Sequence, residues 1–170
     1  MVDPKSIRRK RIILTAIVIV FAVVVLSFAL KTPMAPEVGF ATIKGEKFST
    51  SDLRGKVVLI NFWATSCPGC IDEMPRIVDT YRQYQARGFE TVAVAMSYDS
   101  LNHVLSYAQS KALPFKIAFD SEGEIAKRFG DVQLTPTTFV IDKQGYVIRE
   151  YLGQPDFNEL HLIIEQALKI

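Results

Sequence analysis

Hydrophobic residues along the chain form one long uninterrupted run, followed by a series of shorter segments. The long run covers residues 12–30, which carry no charge and only two polar side chains, Thr15 and Ser27. A helix of this length is about 28 Å long, close to the ~30 Å hydrocarbon thickness of a bilayer. Because the run is apolar on all sides and not along one stripe, it predicts a transmembrane helix.

Basic residues stand at the beginning of this run. The cluster over residues 8–11 precedes it directly, whereas only Lys31 follows it. By the positive-inside rule, residues 1–11 form a cytoplasmic tail and everything after the run lies outside the cytoplasm. A cleaved signal peptide is the alternative, since residues 27–29 offer a small-x-small site, although the run exceeds the ~7–15 apolar residues of a signal peptide. Under both interpretations the remainder is exported.

The shorter segments predict one α/β domain over residues 37–170, after a proline-containing linker over residues 31–36. The order of its elements predicts a mixed central sheet, parallel at first and closed by an antiparallel hairpin. Strands are expected at residues 57–64, 90–97 and 115–119, with hairpins over residues 40–48 and 137–152. Helices are expected at residues 67–87, 101–111, 122–129 and from a capping box that begins at Asp156.

Charge is spread unevenly over the 170 residues. Residues 1–31 carry six basic side chains and one acidic side chain, a balance of +5. The other 139 residues carry fourteen basic and seventeen acidic side chains, a balance of −3. The exported part therefore shows no basic surface of the kind that binds nucleic acid. With 49% apolar residues, the composition also excludes a globally disordered chain.

The candidate chemistry lies in Cys67 and Cys70, the two cysteines of the sequence. They form a C-x-x-C motif at the predicted start of a helix. Free backbone N–H groups and the helix dipole at that point favour a thiolate, so the pKa of Cys67 is expected to be lowered. Cys70 lies further into the helix, where it is expected to be more buried and to resolve a mixed disulfide formed on Cys67.

Other uses of a cysteine pair are weaker on the residues present. A zinc site needs a second C-x-x-C or an H-x₃₋₅-H pair, and haem attachment needs a histidine where Ile71 stands. An inert structural disulfide remains an alternative in an exported protein, although a strand-to-helix corner is an unusual place for one. We therefore predict a redox site with no metal and no cofactor.

Three motifs in the right order resemble the thioredoxin superfamily over residues 36–170. They are the strand, tryptophan and C-x-x-C of residues 61–70, the helix proline Pro75, and the segment 135–142, which resembles the one that carries the family's cis-proline. Within the superfamily the chain is most similar to the membrane-anchored TlpA/ResA/CcmG-like thiol-disulfide oxidoreductases. The single anchor, the hairpin followed by residues 51–56, and the extra helix–strand segment over residues 99–119 support this.

The resemblance implies a thioredoxin-like α/β fold with a mixed central sheet flanked by helices, an N-terminal hairpin and a central helix–strand insertion, preceded by one transmembrane helix. It also implies a protein that reduces disulfides in exported proteins, apocytochrome c being the client of several relatives. Electrons would come from a membrane donor of the DsbD/CcdA type. Pro136 is expected to be cis and to face the disulfide, with Thr135 and Trp63 as further substrate-binding residues.

One departure from thioredoxin concerns the buried acid. Asn61 stands where thioredoxin has an aspartate, and Glu73 is the substitute candidate because it lies three residues after Cys70 on the same helix. A partly buried carboxyl there would have a raised pKa and could exchange protons with Cys70, which makes Glu73 a predicted catalytic residue. The alternative is a solvated glutamate in an early helical turn.

Several other functions use related folds or thiols. A disulfide oxidase or isomerase would differ from a reductase only in potential and partners. A peroxiredoxin-like thiol peroxidase would carry P-x-x-x-[ST]-x-x-C, but Ile60 stands at the proline position. A copper-delivering thiol carrier of the Sco type would use C-x-x-x-C with a distant histidine, and neither His103 nor His161 lies in an obvious partner segment.

Overall fold

The structure, a computed structural model, describes residues 18–21 and 33–169. Residues 18–21 are helical. The predicted cytoplasmic tail over residues 1–11, and the predicted membrane span over residues 12–30 apart from 18–21, lie outside the described residues. Within the described residues, no helix is both long enough and apolar enough to cross a membrane.

The domain alternates strands and helices along the chain, as the sequence predicts. Strands and helices are numbered separately in chain order: β1 (Gly39–Ala41), β2 (Lys47–Ser49), β3 (Val57–Trp63), α1 (Pro68–Tyr84), β4 (Phe89–Ala95), α2 (Leu101–Ser110), β5 (Lys116–Phe119), α3 (Glu124–Arg128), β6 (Thr137–Ile141), β7 (Val147–Leu152) and α4 (Phe157–Lys169). Short 3₁₀ turns lie at Ser51–Leu53 and Gln85–Arg87.

The central sheet has the strand order β5-β4-β3-β6-β7. Strand β3 pairs parallel with β4, and β4 pairs parallel with β5. Strands β6 and β7 complete the sheet as an antiparallel hairpin, β6 lying against β3. The predicted mixed sheet is therefore confirmed, and β1 with β2 forms the predicted N-terminal hairpin.

Both faces of the sheet are covered, which explains the uninterrupted apolar character of β3 and β4. All seven residues of each strand are buried. Alternate residues of β3 enter two separate cores, Leu59 facing the core shared with α1, α2 and α4, and Ile60 facing the core shared with α3. This is the burial expected of a strand in the middle of a doubly covered sheet.

The N-termini of α4 and α2 are capped in different ways. Asp156 caps α4 by accepting the Asn158 N–H at 2.8 Å, but the Glu159 side chain of the predicted capping box pairs with Arg149 instead. Ser100 stands at the N-cap of α2 without a side-chain capping bond. The carboxylate of Asp99, the residue before Ser100, accepts the Thr65 N–H in the loop before Cys67.

The compact domain begins at Pro33, four residues before the predicted boundary. Residues 33–36, predicted as linker, lie against the turn between β6 and β7. The Ala35 N–H donates to the Gly145 carbonyl at 2.9 Å, and the Val147 N–H donates to the Pro33 carbonyl at 2.8 Å. The start of β7 has backbone groups free for pairing, and the incoming chain satisfies them.

Candidate active site

The two cysteines lie at the edge of the sheet where β3 and β4 both end. Trp63 is in register with Ala95 at the ends of these parallel strands, and the chain passes from Trp63 through a tight turn into α1. Cys67 and Cys70 form a disulfide with a Cα–Cα separation of 5.3 Å. Cys67 is partly exposed whereas Cys70 is fully buried, so a partner can approach Cys67 but not Cys70.

Cys67 lies at the start of α1, as predicted, and occupies the N-cap position. Its sulfur accepts the Cys70 N–H at 3.2 Å, which is the bond an N-cap side chain makes to the third residue of a helix. Pro68 occupies the first helical position and offers no N–H of its own. After reduction the same amide and the helix dipole would stabilise a thiolate on Cys67.

Glu73 is buried on the same helix, three residues after Cys70. Its side chain is only 1% exposed, so the alternative of a solvated glutamate is wrong. Oxygen Oε1 accepts an N–H from Asn61 at 2.8 Å, and Oε2 has no hydrogen-bond partner among the described residues. Burial raises the pKa of Glu73 to about 7, an effect that the bond from Asn61 reduces but does not cancel.

A buried carboxyl with this pKa can take up and return a proton near neutral pH. Cys70 and Glu73 lie three residues apart on α1, and both are buried. The predicted rise in the pKa of Glu73 is therefore confirmed. Its exchange of a proton with Cys70 stays a prediction.

Thr135 and Pro136 lie at the same edge of the sheet, directly before β6, which pairs antiparallel with β3. The Thr135–Pro136 peptide bond is cis, as predicted. Pro136 borders the C-x-x-C turn, because a Cβ placed on Gly69 would lie 3.6 Å from the Pro136 Cδ. Thr135 is partly exposed and its Oγ1 lies 3.0 Å from the hydroxyl of Tyr98.

Known proteins are similar to this chain in sequence and in fold. The Redoxin family profile matches residues 30–163. The chain belongs to the Redoxin family. The thiol-disulfide oxidoreductase ResA of Bacillus thuringiensis subsp. konkukian is 36% identical over 126 residues, which cover 74% of this chain and 72% of the relative. ResA of Geobacillus thermodenitrificans is 37% identical over 119 residues, which cover 70% of this chain and 67% of the relative.

A solved structure supports the same conclusion. The thiol:disulfide interchange protein of the thioredoxin family from Chlorobium tepidum superposes with a TM-score of 0.74 at 29% identity, covering 81% of this chain and 97% of that one. The Redoxin domain described here is thus a TlpA/ResA/CcmG-like member of the thioredoxin superfamily, and it is a thiol-disulfide oxidoreductase.

Trp63 was predicted as a site residue, but its side chain is buried in the structure. Its side chain is 0% exposed in the oxidoreductase, and its ring packs against Tyr107 with 5.4 Å between the ring centroids. A side chain at this position cannot contact a substrate, so its assignment as a substrate-binding residue is wrong. The reason is its place at the end of β3, which is covered on both faces.

Two residues of the site were missed by the sequence reasoning. The Gln154 side chain donates to the Gly69 carbonyl at 2.9 Å and so joins the loop after β7 to the C-x-x-C turn. The Asp99 carboxylate accepts the Thr65 N–H at 2.5 Å and the Thr65 hydroxyl at 2.7 Å. Asp99 could have been found, because it follows β4 at the edge where functional groups of parallel strands meet. No local pattern marks Gln154.

The histidines take no part in this cysteine site. His161 lies in α4, where its Nε2 bonds to the Thr80 hydroxyl at 2.9 Å, and His103 is exposed on α2. Over residues 18–21 and 33–169, no three histidine, cysteine, aspartate or glutamate side chains come together in a position to hold a metal ion.

Proposed function

We propose that this thiol-disulfide oxidoreductase works as a reductase of disulfides in exported proteins, anchored in the membrane by residues 12–30 with its catalytic domain outside the cytoplasm. The uncharged run over residues 12–30 and the basic cluster over residues 8–11 support the anchor and its orientation. The observation that carries the exchange chemistry is the burial of Cys70 beside Glu73, whose pKa is about 7, next to the partly exposed Cys67. The resemblance to the ResA-like group supports the reducing direction, which the potential tests.

Reduction begins from the dithiol form of the protein. The Cys67 thiolate attacks one sulfur of the client disulfide, and the other client sulfur leaves as a thiolate that takes a proton from water. Cys70 gives its proton to the Glu73 carboxylate and attacks the Cys67 sulfur of the mixed disulfide. The second client sulfur leaves in turn, so two electrons pass to the client and the protein ends in the disulfide form that the structure holds.

Glu73 matters for the second of these attacks. A thiol buried in apolar surroundings holds its proton more tightly than one in water, so a resolving cysteine without a base would react slowly. A general base is most effective when its pKa lies near the working pH. With a pKa of about 7, Glu73 is half ionised at neutral pH and can accept the Cys70 proton at that stage.

Clients would dock as an extended segment beside Thr135. Over the described residues, the Thr135 N–H and C=O make no backbone hydrogen bond, so both are open to a client strand. Main-chain recognition of this kind suits clients of differing sequence. The resemblance to the ResA-like group makes apocytochrome c a candidate client and a DsbD/CcdA-type membrane protein a candidate electron donor.

Two variants and a measurement of the reduction potential test this function. Cys70→Ser should accumulate a mixed disulfide with a disulfide-bonded apocytochrome c peptide, whereas Cys67→Ser should accumulate none, because only Cys67 is accessible. Equal trapping by both variants would void these roles. The Cys67–Cys70 couple should have a reduction potential close to that of thioredoxin, about −270 mV. A reduction potential close to that of DsbA, about −120 mV, would favour the oxidase alternative.

A further inference from the structure

We propose that the end of the sheet opposite the cysteines binds anionic lipid headgroups. The proposal rests on the proposed membrane anchor over residues 12–30, and it adds a second contact with the lipid surface, made by the domain itself. The side chains that make this contact, together called the basic end, lie at the starts of strands or at the ends of helices: Arg54, Lys56, Arg87, Lys111, Lys143 and Lys169.

The topology of the sheet brings these side chains to one end. Strands β3, β4, β5 and β7 all run in the same direction and begin there. Backbone bonds join the connections, because the Val57 N–H donates to the Gly88 carbonyl at 3.0 Å and the Gly55 N–H donates to the Lys143 carbonyl at 2.9 Å. Lys143 Nζ donates to the Leu168 carbonyl at 2.8 Å, so the end of α4 lies there too.

Charge divides between the two ends of the sheet, although the domain as a whole is slightly acidic. The connections from β2 to β3, α1 to β4, α2 to β5 and β6 to β7 carry five basic and two acidic side chains, and both carboxylates accept backbone N–H groups. The connections at the end that carries the cysteines hold no basic side chain and five acidic ones: Asp99, Asp120, Glu122, Asp131 and Asp156.

Most of the basic end has no acidic partner. Glu90 pairs with Lys56 at 3.4 Å, and Glu165 pairs with Arg87 at 2.7 Å. The other four members make no ion pair within the described part of the chain: Arg54, Lys111, Lys143 and Lys169. A cluster of about four or more such cations beside a membrane is attracted to anionic lipid headgroups.

The chain enters the domain at the basic end. The Pro33 carbonyl accepts the Val147 N–H at the start of β7, and the Arg54 side chain donates to the Gln144 carbonyl in the adjoining turn. Two residues, 31 and 32, separate Pro33 from the run over residues 12–30. Three residue steps reach at most about 11 Å, and the headgroup layer on one side of a bilayer is about 5–7 Å thick. In an anchored chain, the basic end is therefore the part of the domain next to the headgroups.

Cys67 stays away from the lipid surface in this arrangement. Strand β3 runs from the basic end to the turn that carries Cys67, and its seven residues span about 20 Å. Lipid contact at the basic end therefore leaves the disulfide accessible to clients that approach from the aqueous side.

The test uses the full chain in lipid nanodiscs of two compositions, phosphatidylcholine alone and phosphatidylcholine mixed equally with phosphatidylglycerol. Mass spectrometry measures the rate at which a water-soluble reagent acetylates each lysine. Lys143 and Lys169 should react about fivefold more slowly in the anionic discs, a factor that corresponds to about 1 kcal/mol. NaCl at about 0.5 M should remove most of this protection. Lys127 on α3, whose side chain is 70% exposed, should react equally fast in both discs.

Two double variants make the result specific. Lys111→Gln with Lys169→Gln removes two unpaired cations and should reduce the protection of Lys143 to about twofold. Lys127→Gln with Arg128→Gln removes the same charge from α3 and should leave the protection of Lys143 unchanged.

The lipid contact is overturned if Lys143 and Lys169 react equally fast in both discs, if Lys127 is protected to the same degree, or if the first double variant keeps the full protection. If the chain separates from both kinds of disc, the proposed anchor fails, and the lipid contact fails with it. Reduction of a disulfide peptide by the same samples tests the reductase function separately.

Discussion

Replacing Glu73 by glutamine separates the stability of the domain from its catalysis. Glutamine has the shape of a protonated glutamate, can accept the Asn61 N–H in the same way, and cannot ionise. In the wild type, burial raises the Glu73 pKa from 4.5 to about 7, so the folded protein binds this proton more tightly than the unfolded chain does. Ionising Glu73 in the folded state therefore costs stability.

The size and sign of this cost follow from linkage between proton binding and folding. The wild type has its full stability below the unfolded pKa of 4.5 and loses stability as the pH rises through the folded pKa of about 7. At about 1.4 kcal/mol for each pKa unit, the loss above pH 7 amounts to about 3 kcal/mol. Glu73→Gln should therefore be about 3 kcal/mol more stable than the wild type at pH 8, and equally stable at pH 4.

Urea unfolding of the oxidised protein between pH 4 and pH 9 measures this effect. The difference between variant and wild type removes the contributions of the other titrating groups, which the two proteins share. Catalysis should change in the opposite direction, because the variant has no base for Cys70. We expect resolution of the mixed disulfide at pH 7 to slow by about 100-fold, the lower end of what a general base contributes, and its inflection near pH 7 to disappear.

Asp72→Asn is the matched control, since it removes a neighbouring carboxylate that is exposed on the same helical turn. It should leave both the pH dependence of stability and the rate of resolution close to those of the wild type. A Glu73→Gln protein that is less stable than the wild type at pH 8, or that resolves mixed disulfides at the normal rate, would refute the assignment of Glu73 as a buried base.

Two further predictions concern the loop before Cys67 and the topology. Asp99→Asn retains one acceptor for Thr65 but loses the charge that three donors share, so the unfolding free energy in urea should fall by about 1.5–3 kcal/mol, whereas the exposed Asp79→Asn should have little effect. A reporter fused after residue 30 should be active only outside the cytoplasm, and the full chain should stay in the membrane fraction. A soluble form that begins near residue 30 would support a cleaved signal peptide instead.

The fold was predictable because its elements are marked by local patterns. The apolar, β-branched run of β3 and the segments around it predict a doubly covered sheet, and the structure confirms it. Strand ends were less predictable, because β3 and β4 stop together at Trp63 and Ala95, where pairing between the strands ends, and not where apolar residues end. The same run also indicates that Trp63 is buried, since a strand covered on both faces leaves no side chain exposed to a substrate.

Contacts that assemble the site across long sequence separations were not predictable. Tyr98 and Thr135 are 37 residues apart, and Gln154 and Gly69 are 85 residues apart. Their pairing depends on how the loops after β4 and β7 meet the start of α1, which no periodicity or spacing in the sequence encodes. The cysteines and Glu73 were predictable because they lie within the first two turns of one helix and its N-cap, where spacing alone fixes their neighbourhood.

The buried acid of this site lies on the helix, at Glu73, and not on the strand at position 61, where thioredoxin has an aspartate. This difference explains why Asn61 suits the site. Asn61 Nδ2 lies 2.8 Å from Glu73 Oε1 and 3.0 Å from Thr138 Oγ1, so its amide supplies donors to two buried acceptors. An aspartate at position 61 would place a second carboxyl against Glu73, and two carboxyls at that distance cannot both ionise near neutral pH. With asparagine there, one carboxyl titrates at this point. Burial and a single donated N–H then set its pKa at about 7, where it can serve Cys70.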